Sequence, residues 1–387
     1  MLPPSDPDAP VRATDTDAAL ARLSAVRKRY LDDPYIAPLV PRPHLQPPRP
    51  PLINVGTYLR ARAIDALVDR WIRAAPAHSA VQIVSLGAGS DTRFWRLQTG
   101  PHAHRVARYL ELDFPEVTSK KAMAIRKSPL LSAPLGSPES VSLAAGGTAL
   151  RSDVYNLLPV DLRLPPETSL ASVLTTASPT SPPLLSPHLP TLLLFECVLV
   201  YMHPSASDAL IRWFADYCTG PNPSPSPSTG SNSNTGALGC IVYEMFGLTD
   251  AFGRVMLNNL RSRGVALPGA DPYPTRASLP QRFLRLGFSA AHALTLREIR
   301  ADYTPRPELE RLSTLELLDE IEELDLVLAH YAITWGIKLP GAGPDPGTDS
   351  IADSNAEAAD AARPQPAAWL AWGLDAHPAR PAGAEDE

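Results

Sequence analysis

The chain has 387 residues, a formal net charge of -6, 44 prolines and three cysteines. No basic block recurs with aromatics, so the sequence carries no nucleic-acid footprint. Cys197, Cys218 and Cys240 are odd in number and lack paired close spacing, which fits reduced cytosolic thiols and not a disulfide framework.

The N-terminus, "MLPPSDPDAPVRATD", has no apolar signal core, so a cytoplasmic protein is expected, and residues 1–14 read as disordered. Residues 15–31 predict a helix with Leu20, Leu23 and Tyr30 on one face and Asp15 or Thr16 as cap. Leu59 to Ala74 predicts a second, placing Ile64, Leu67, Val68, Trp71 and Ile72 at helical spacing. Strand and helix signals then alternate: a strand at 81–86, a strand at 106–114, and a helix to about Arg126. "TLLLFECVLVYM" reads as a buried strand, "SASDALIRWFADYC" as a helix and "GCIVYEM" as a strand. The run "TLLLFECVLVYM" is too short to cross a bilayer, so no membrane is expected. "STLELLDEIEELDLVLAHY" predicts one helix opened by a Ser313–Glu316 capping box, with Leu317, Ile321, Leu324 and Leu328 on a stripe. "HYAITWGIKL" reads as a last strand.

Apolar strands without polar alternation, separated by helices, predict a doubly wound α/β fold. The domain spans 15–340. Residues 165–190 and 220–237 read as flexible inserts and 341–387 as a disordered tail, because their prolines and low apolar content offer little to bury.

Gly87-Ala88-Gly89 follows the first strand, as a loop does where backbone must approach a ligand. The position of a third glycine holds Thr92, so the loop fits a tight turn, or a cofactor without a pyrophosphate such as S-adenosylmethionine. Asp113 ends the next strand, where a carboxylate accepts from both ribose hydroxyls of NAD or S-adenosylmethionine, or caps the following helix. Glu196 lies late in an apolar strand and needs a partner; Arg60 and Arg22 are the candidate counter-charges. The sequence has no zinc motif, phosphate loop or nucleophile elbow, and "HAH" at 102–104 reads as solvated, so no metal is expected.

The segments "LSAVRKRYLDDPYI", "PLINVGTYLRARAID", "IVSLGAGSDTRFWRL", "LELDFPEVTSKK", "DLR", "PTLLLFECVLVYM", "RFLRLGF" and "STLELLDEIEELDLVLAHY" occur in this order. Together the sequence resembles the leucine carboxyl methyltransferases, which esterify the C-terminal leucine of type 2A protein phosphatase catalytic subunits. The resemblance covers most of 15–340. It implies a Rossmann-like S-adenosylmethionine-dependent methyltransferase fold with N-terminal helical lid elements. It also implies a cofactor pocket of Arg22, Arg60, Gly87, Asp113, Asp161, Leu162 and Glu196. In that pocket Asp113 holds the ribose, Asp161 and Leu162 the adenine edge, and Arg60 the methionine carboxylate. Tyr201 and Arg60 shape the site near the methyl group as the catalytic residues. The implied partner is the catalytic subunit of protein phosphatase 2A and its C-terminal tail. Val55 stands where the family usually carries arginine.

The competing readings are a relative that methylates the transfer-RNA base wybutosine, a small-carboxylate methyltransferase and a non-catalytic phosphatase-binding module. The tail has no period of about 40 to 50 residues, as the repeat domain of the transfer-RNA class requires. An NAD-dependent dehydrogenase is disfavoured by Thr92.

Overall fold

A computed structural model of the chain describes residues 6–177, 182–220, 236–340 and 366–377. Its centre is the strand β1 (Val81–Leu86), buried along its whole length. Around it run β2 (Val106–Asp113), β3 (Ser142–Ala144), β4 (Ala149–Arg151), β5 (Tyr155–Pro159), β6 (Thr191–Glu196), β7 (Leu238–Met245), β8 (Ala290–Thr295) and β9 (Tyr331–Lys338). They form one sheet in the order β3-β4-β5-β2-β1-β6-β7-β9-β8. The five strands β5, β2, β1, β6 and β7 are parallel, and β9 enters antiparallel between β7 and β8. Strand order reverses at β1 and β6, and ligands of open α/β sheets bind in the crevice outside such a switch point.

The pleat sends alternate side chains to opposite faces, and each face has its own core. Val81 and Ile83 join Ile64, Leu67 and Trp71 of the helix Pro51–Ala74 on one side. Val84 and Leu86 join Leu210 and Phe214 of the helix Pro204–Thr219 on the other. Apolar burial on both faces makes 192–195 of β6 a continuous hydrophobic run, as expected for a central parallel strand, whereas β1 carries the buried polar residues Gln82 and Ser85 among its apolar ones.

Several elements depart from the sequence reading. The N-terminal helix runs Ala9–Arg27 with Pro10 in its first turn, so part of the segment read as disordered is helical; proline is well suited to that position. Asp15 and Thr16 lie inside this helix and cap nothing. The second helix begins at Pro51, not Leu59, and buries Asn54, Val55 and Tyr58. The strand read as 191–202 stops at Glu196, because Cys197 takes a left-handed φ of 56° and a tight helical turn Leu199–Tyr201 follows. The helix read over 313–331 is two helices, Arg306–Ser313 and Ile321–Ala329, and Leu317 is 85% exposed between them. The capping box does not form: Ser313 donates to the Glu310 carbonyl, and Glu316 is taken by Asn54 at 2.7 Å and Lys28 at 2.9 Å.

The region read as a flexible insert at 165–190 contains the helix Pro166–Leu170, and Leu170, Leu174 and Leu185 are buried in the core. Of the second insert, 221–235 lie outside the described residues, as do 178–181, 341–365 and 378–387. Within the predicted tail, residues 366–377 pack against the domain. Trp369 and Trp372 set their rings 4.3 and 5.0 Å from that of Trp71. The Trp372 indole donates to the Leu67 carbonyl at 2.9 Å. Two tryptophans bring enough apolar surface to fix a segment whose average composition is poor. Among the described residues, no helix is long and apolar enough to cross a membrane.

Candidate functional site

A cavity of about 370 Å³ opens at the carboxyl ends of β1, β2 and β6, with the N-terminal helix along one side. Gly87, Asp113, Asp161, Leu162 and Glu196 all reach its wall, and so do Arg22, Arg60 and Tyr201. Residues scattered over 180 positions are thus collected by one switch point.

The loop after β1 needs its glycines. Gly87 has φ +64°, and a Cβ there would stand 2.5 Å from a methyl of Val198. Its N–H donates to the Leu112 carbonyl at 2.7 Å, which bends the loop toward β2. Gly89 has φ +49°, and its N–H donates to Asp113 Oδ2 at 2.8 Å. The next amide, of Ser90, donates to Asp15 Oδ1 at 2.7 Å, so the N-terminal helix is tied directly to the loop. Thr92 is buried, and its hydroxyl donates to Asp33 Oδ2 at 2.5 Å. It anchors the loop from below.

Asp113 accepts from Gly89 through one oxygen and from the Phe114 N–H at 2.7 Å through the other. An ionised carboxylate has about four acceptor positions, so two backbone bonds leave capacity for ligand hydroxyls. Burial pushes its pKa up to about 6, against the pull of those two N–H groups. Asp161 pairs with Arg163, which also forms two bonds of 2.6 and 2.8 Å to Asp8 at the start of the N-terminal helix. Beside it, Leu162 presents a mostly buried apolar edge.

Glu196 is the last residue of β6. Its Oε2 accepts from Arg60 Nε at 2.7 Å, and its Oε1 lies 2.9 Å from Arg93 Nη1. Burial opposes the charge, but Arg60 and Arg93 outweigh it and hold the carboxyl below the usual range. The Arg60 guanidinium also lies 4.4 Å from the Tyr243 ring centre, a cation–π contact. Arg22 is engaged with Asp33 at 2.5 Å. Tyr201 hangs from the turn after β6, and burial raises its phenol well above the ordinary value, so it stays a hydroxyl.

Sequence reasoning missed two groups of residues. One is the charged layer at and beneath the loop, in which Arg93 is buried and Asp65, Asp91 and Arg96 are partly buried. Its signal is charge alternating with aromatics in "DTRFWRL". The other is the wall opposite the loop, where Tyr243 and Tyr331 stack at 5.4 Å beside Met245 and Leu260. There Arg263 pairs with Asp17 of the N-terminal helix. These residues come from separate elements and leave no local motif. Val55 is buried in the core, which suits an apolar residue in place of arginine. His102 of the "HAH" stretch pairs with Asp69 at 2.7 Å, and no group of three or more metal-ligating side chains occurs among the described residues.

The sequence profile of the leucine carboxyl methyltransferases matches residues 11–215, a span that includes the loop, Asp113 and Glu196. A leucine carboxyl methyltransferase 1 from Cryptococcus neoformans var. neoformans is 43% identical over 372 residues, covering 87% of this chain and 98% of that one. A homologue of the same name from Arabidopsis thaliana is 36% identical over 85% of this chain and 89% of its own. The Bos taurus protein is 33% identical over 87% and 92%. A family match over more than half of the chain, with relatives 33 to 43% identical over most of its length, makes this chain a methyltransferase of the leucine carboxyl methyltransferase family.

Proposed function

We propose that the chain transfers the methyl group of S-adenosylmethionine to the α-carboxylate of the C-terminal leucine of a protein phosphatase 2A catalytic subunit, giving a methyl ester. The observation that carries the cofactor reading is the opposed pair Arg60 and Glu196 in the same cavity as Asp113. One cation and one anion side by side match the carboxylate and ammonium of an amino-acid head, and Asp113 matches a ribose diol. Gly87 supports the fit, since any side chain there collides with Val198 and closes the approach. In this reading Arg60 takes the methionine carboxylate, Glu196 the ammonium, and Asp161 with Leu162 the adenine edge; Arg22 braces the wall through Asp33. When bound, the cofactor supplies an electrophilic sulfonium methyl.

The acceptor chemistry asks little of the protein. A C-terminal carboxylate is already ionised at neutral pH and needs no general base. The residues' work is to position it in line and to keep water out as opposite charges are neutralised. The apolar aromatic wall of Tyr243, Tyr331, Met245 and Leu260 suits a leucine side chain, and Arg263 at its edge suits a carboxylate. Tyr201, held as a neutral hydroxyl on the cavity wall, is a donor for the acceptor oxygen. The three cysteines are all free, which supports the cytoplasm as the site of action.

The test is transfer of labelled methyl from S-adenosylmethionine to purified phosphatase with and without its terminal leucine. Label that depends on the leucine is expected. Cofactor binding without leucine-dependent label overturns the protein substrate, and label on a small carboxylate alone points to the small-molecule class.

A further inference from the structure

One buried side chain joins the glycine loop to β6 from behind the cavity wall. Arg93 opens the short helix Arg93–Gln98 directly after the loop, and its side chain is 2% exposed. Its Nε donates to Asp65 Oδ1 at 2.9 Å and its Nη1 to Asp91 Oδ2 at 2.6 Å, and the same Nη1 stands 2.9 Å from Glu196 Oε1. Glu196 therefore faces two guanidiniums, one per oxygen, and they differ in access. Arg60 lines the cavity, whereas Arg93 lies behind its wall. A ligand carboxylate can draw Arg60 away; it cannot reach Arg93.

Among the described residues, Arg22, Arg60, Arg93 and Arg96 are matched one for one by Asp33, Asp65, Asp91 and Glu196 in a linked cluster. An amino-acid head adds one charge of each sign. Its carboxylate can take Arg60 while its ammonium replaces Arg60 on Glu196 Oε2, and every buried charge stays paired, which a buried ion requires. That exchange works only if Glu196 stays in place when Arg60 turns to the ligand. We propose that Arg93 is the positioning residue that keeps it there, fixing Oε1 so that Oε2 is presented to the α-ammonium of the ligand. A guanidinium suits the task because its fixed fork reaches carboxylates on three elements at once: Asp65 from the helix Pro51–Ala74, Asp91 from the loop, and Glu196 from β6. A lysine ammonium keeps the charge but not the fork.

The inference rests on the cofactor reading and deepens it. It is tested with the full-length chain by calorimetry, using S-adenosylhomocysteine and 5′-methylthioadenosine, which has the same adenosine and thioether but no amino-acid head. The weaker ligand is measured by displacement. Arg93→Lys is expected to weaken S-adenosylhomocysteine by about 10- to 30-fold and methylthioadenosine by no more than about twofold, the loss of one charge-assisted contact at the head. Equal losses for both ligands, or none for either, overturn the positioning role. A wild-type chain that binds neither ligand overturns the cofactor reading itself, and the inference with it. Should Arg93→Lys fail to fold, as read by thermal unfolding, Asp65→Ala carries the test. It keeps the guanidinium but frees its Nε, and the same selective loss is expected at about three- to fivefold; an unselective loss overturns the proposal.

Discussion

The two halves of the cavity are built differently. The loop half, from Gly87 to Asp113 and Glu196, sits on the ends of three adjacent parallel strands, and its charges are locked into a buried network. The opposite half draws Tyr243 and Met245 from β7, Tyr331 from β9, and Leu260 from the helix Ala251–Ser262, and its contacts are mainly apolar. The first half is suited to recognise a ligand of fixed charge pattern, and the second to enclose an apolar group. Their difference separates the residues that should govern cofactor affinity from those that should govern turnover.

The largest effect is expected at Glu196→Ala, which leaves Arg60 without its anion while Arg93 keeps only Asp65 and Asp91. Cofactor affinity should fall at least about 100-fold and the fold should lose about 3 kcal/mol, as read by calorimetry and denaturant unfolding. Intact affinity in this variant breaks the assignment of the loop half. Trp369→Ala tests a region outside both halves. It empties a site packed on Trp71 and should lower stability by about 3 kcal/mol, while the cofactor Kd of the folded protein stays unchanged.

Tyr201→Phe should reduce kcat by about tenfold and leave the cofactor Kd within about twofold, since one hydroxyl is removed from the acceptor side only. A change in Kd with kcat intact reverses its placement. The mildest test is pH. Burial raises the pKa of Asp113 to about 6, and in the proposed cofactor reading it is the ionised form that would accept the ribose hydroxyls. Affinity should therefore hold above pH 6 and weaken by about tenfold near pH 5, and Asp113→Asn should flatten the profile. Stability responds with the opposite sign. Because the folded pKa is above the unfolded value, the contribution of Asp113 is greatest at low pH and is lost as pH rises through about 6.

Sequence reading found the loop half because its residues sit at strand ends, where apolar runs announce the strand and a polar residue marks its exit. Gly87, Asp113 and Glu196 are all of this kind. It overextended the strand through Cys197, since "CVLV" is as apolar as "LLLF" and a left-handed residue has no compositional mark unless it is glycine. It joined the helices around Leu317 for a similar reason: the spacing allowed a capping box, but Asn54 and Lys28, more than 250 residues away, had the stronger claim on Glu316. The tail failed in the other direction. Average composition hid Trp369 and Trp372, whose partner Trp71 lies about 300 residues earlier.

The alternating order of strands and helices, the glycine loop and the carboxylates at strand ends are legible locally, because each depends on neighbours within a few residues. Tertiary structure alone decided which cation meets which carboxylate. Arg60 and Arg93 come from different elements and meet only at Glu196, and the apolar wall exists only once β7, β9 and a distant helix converge. Charge pairing and apolar enclosure act through space, and the energy that fixes them is set by burial, which no local stretch of sequence specifies.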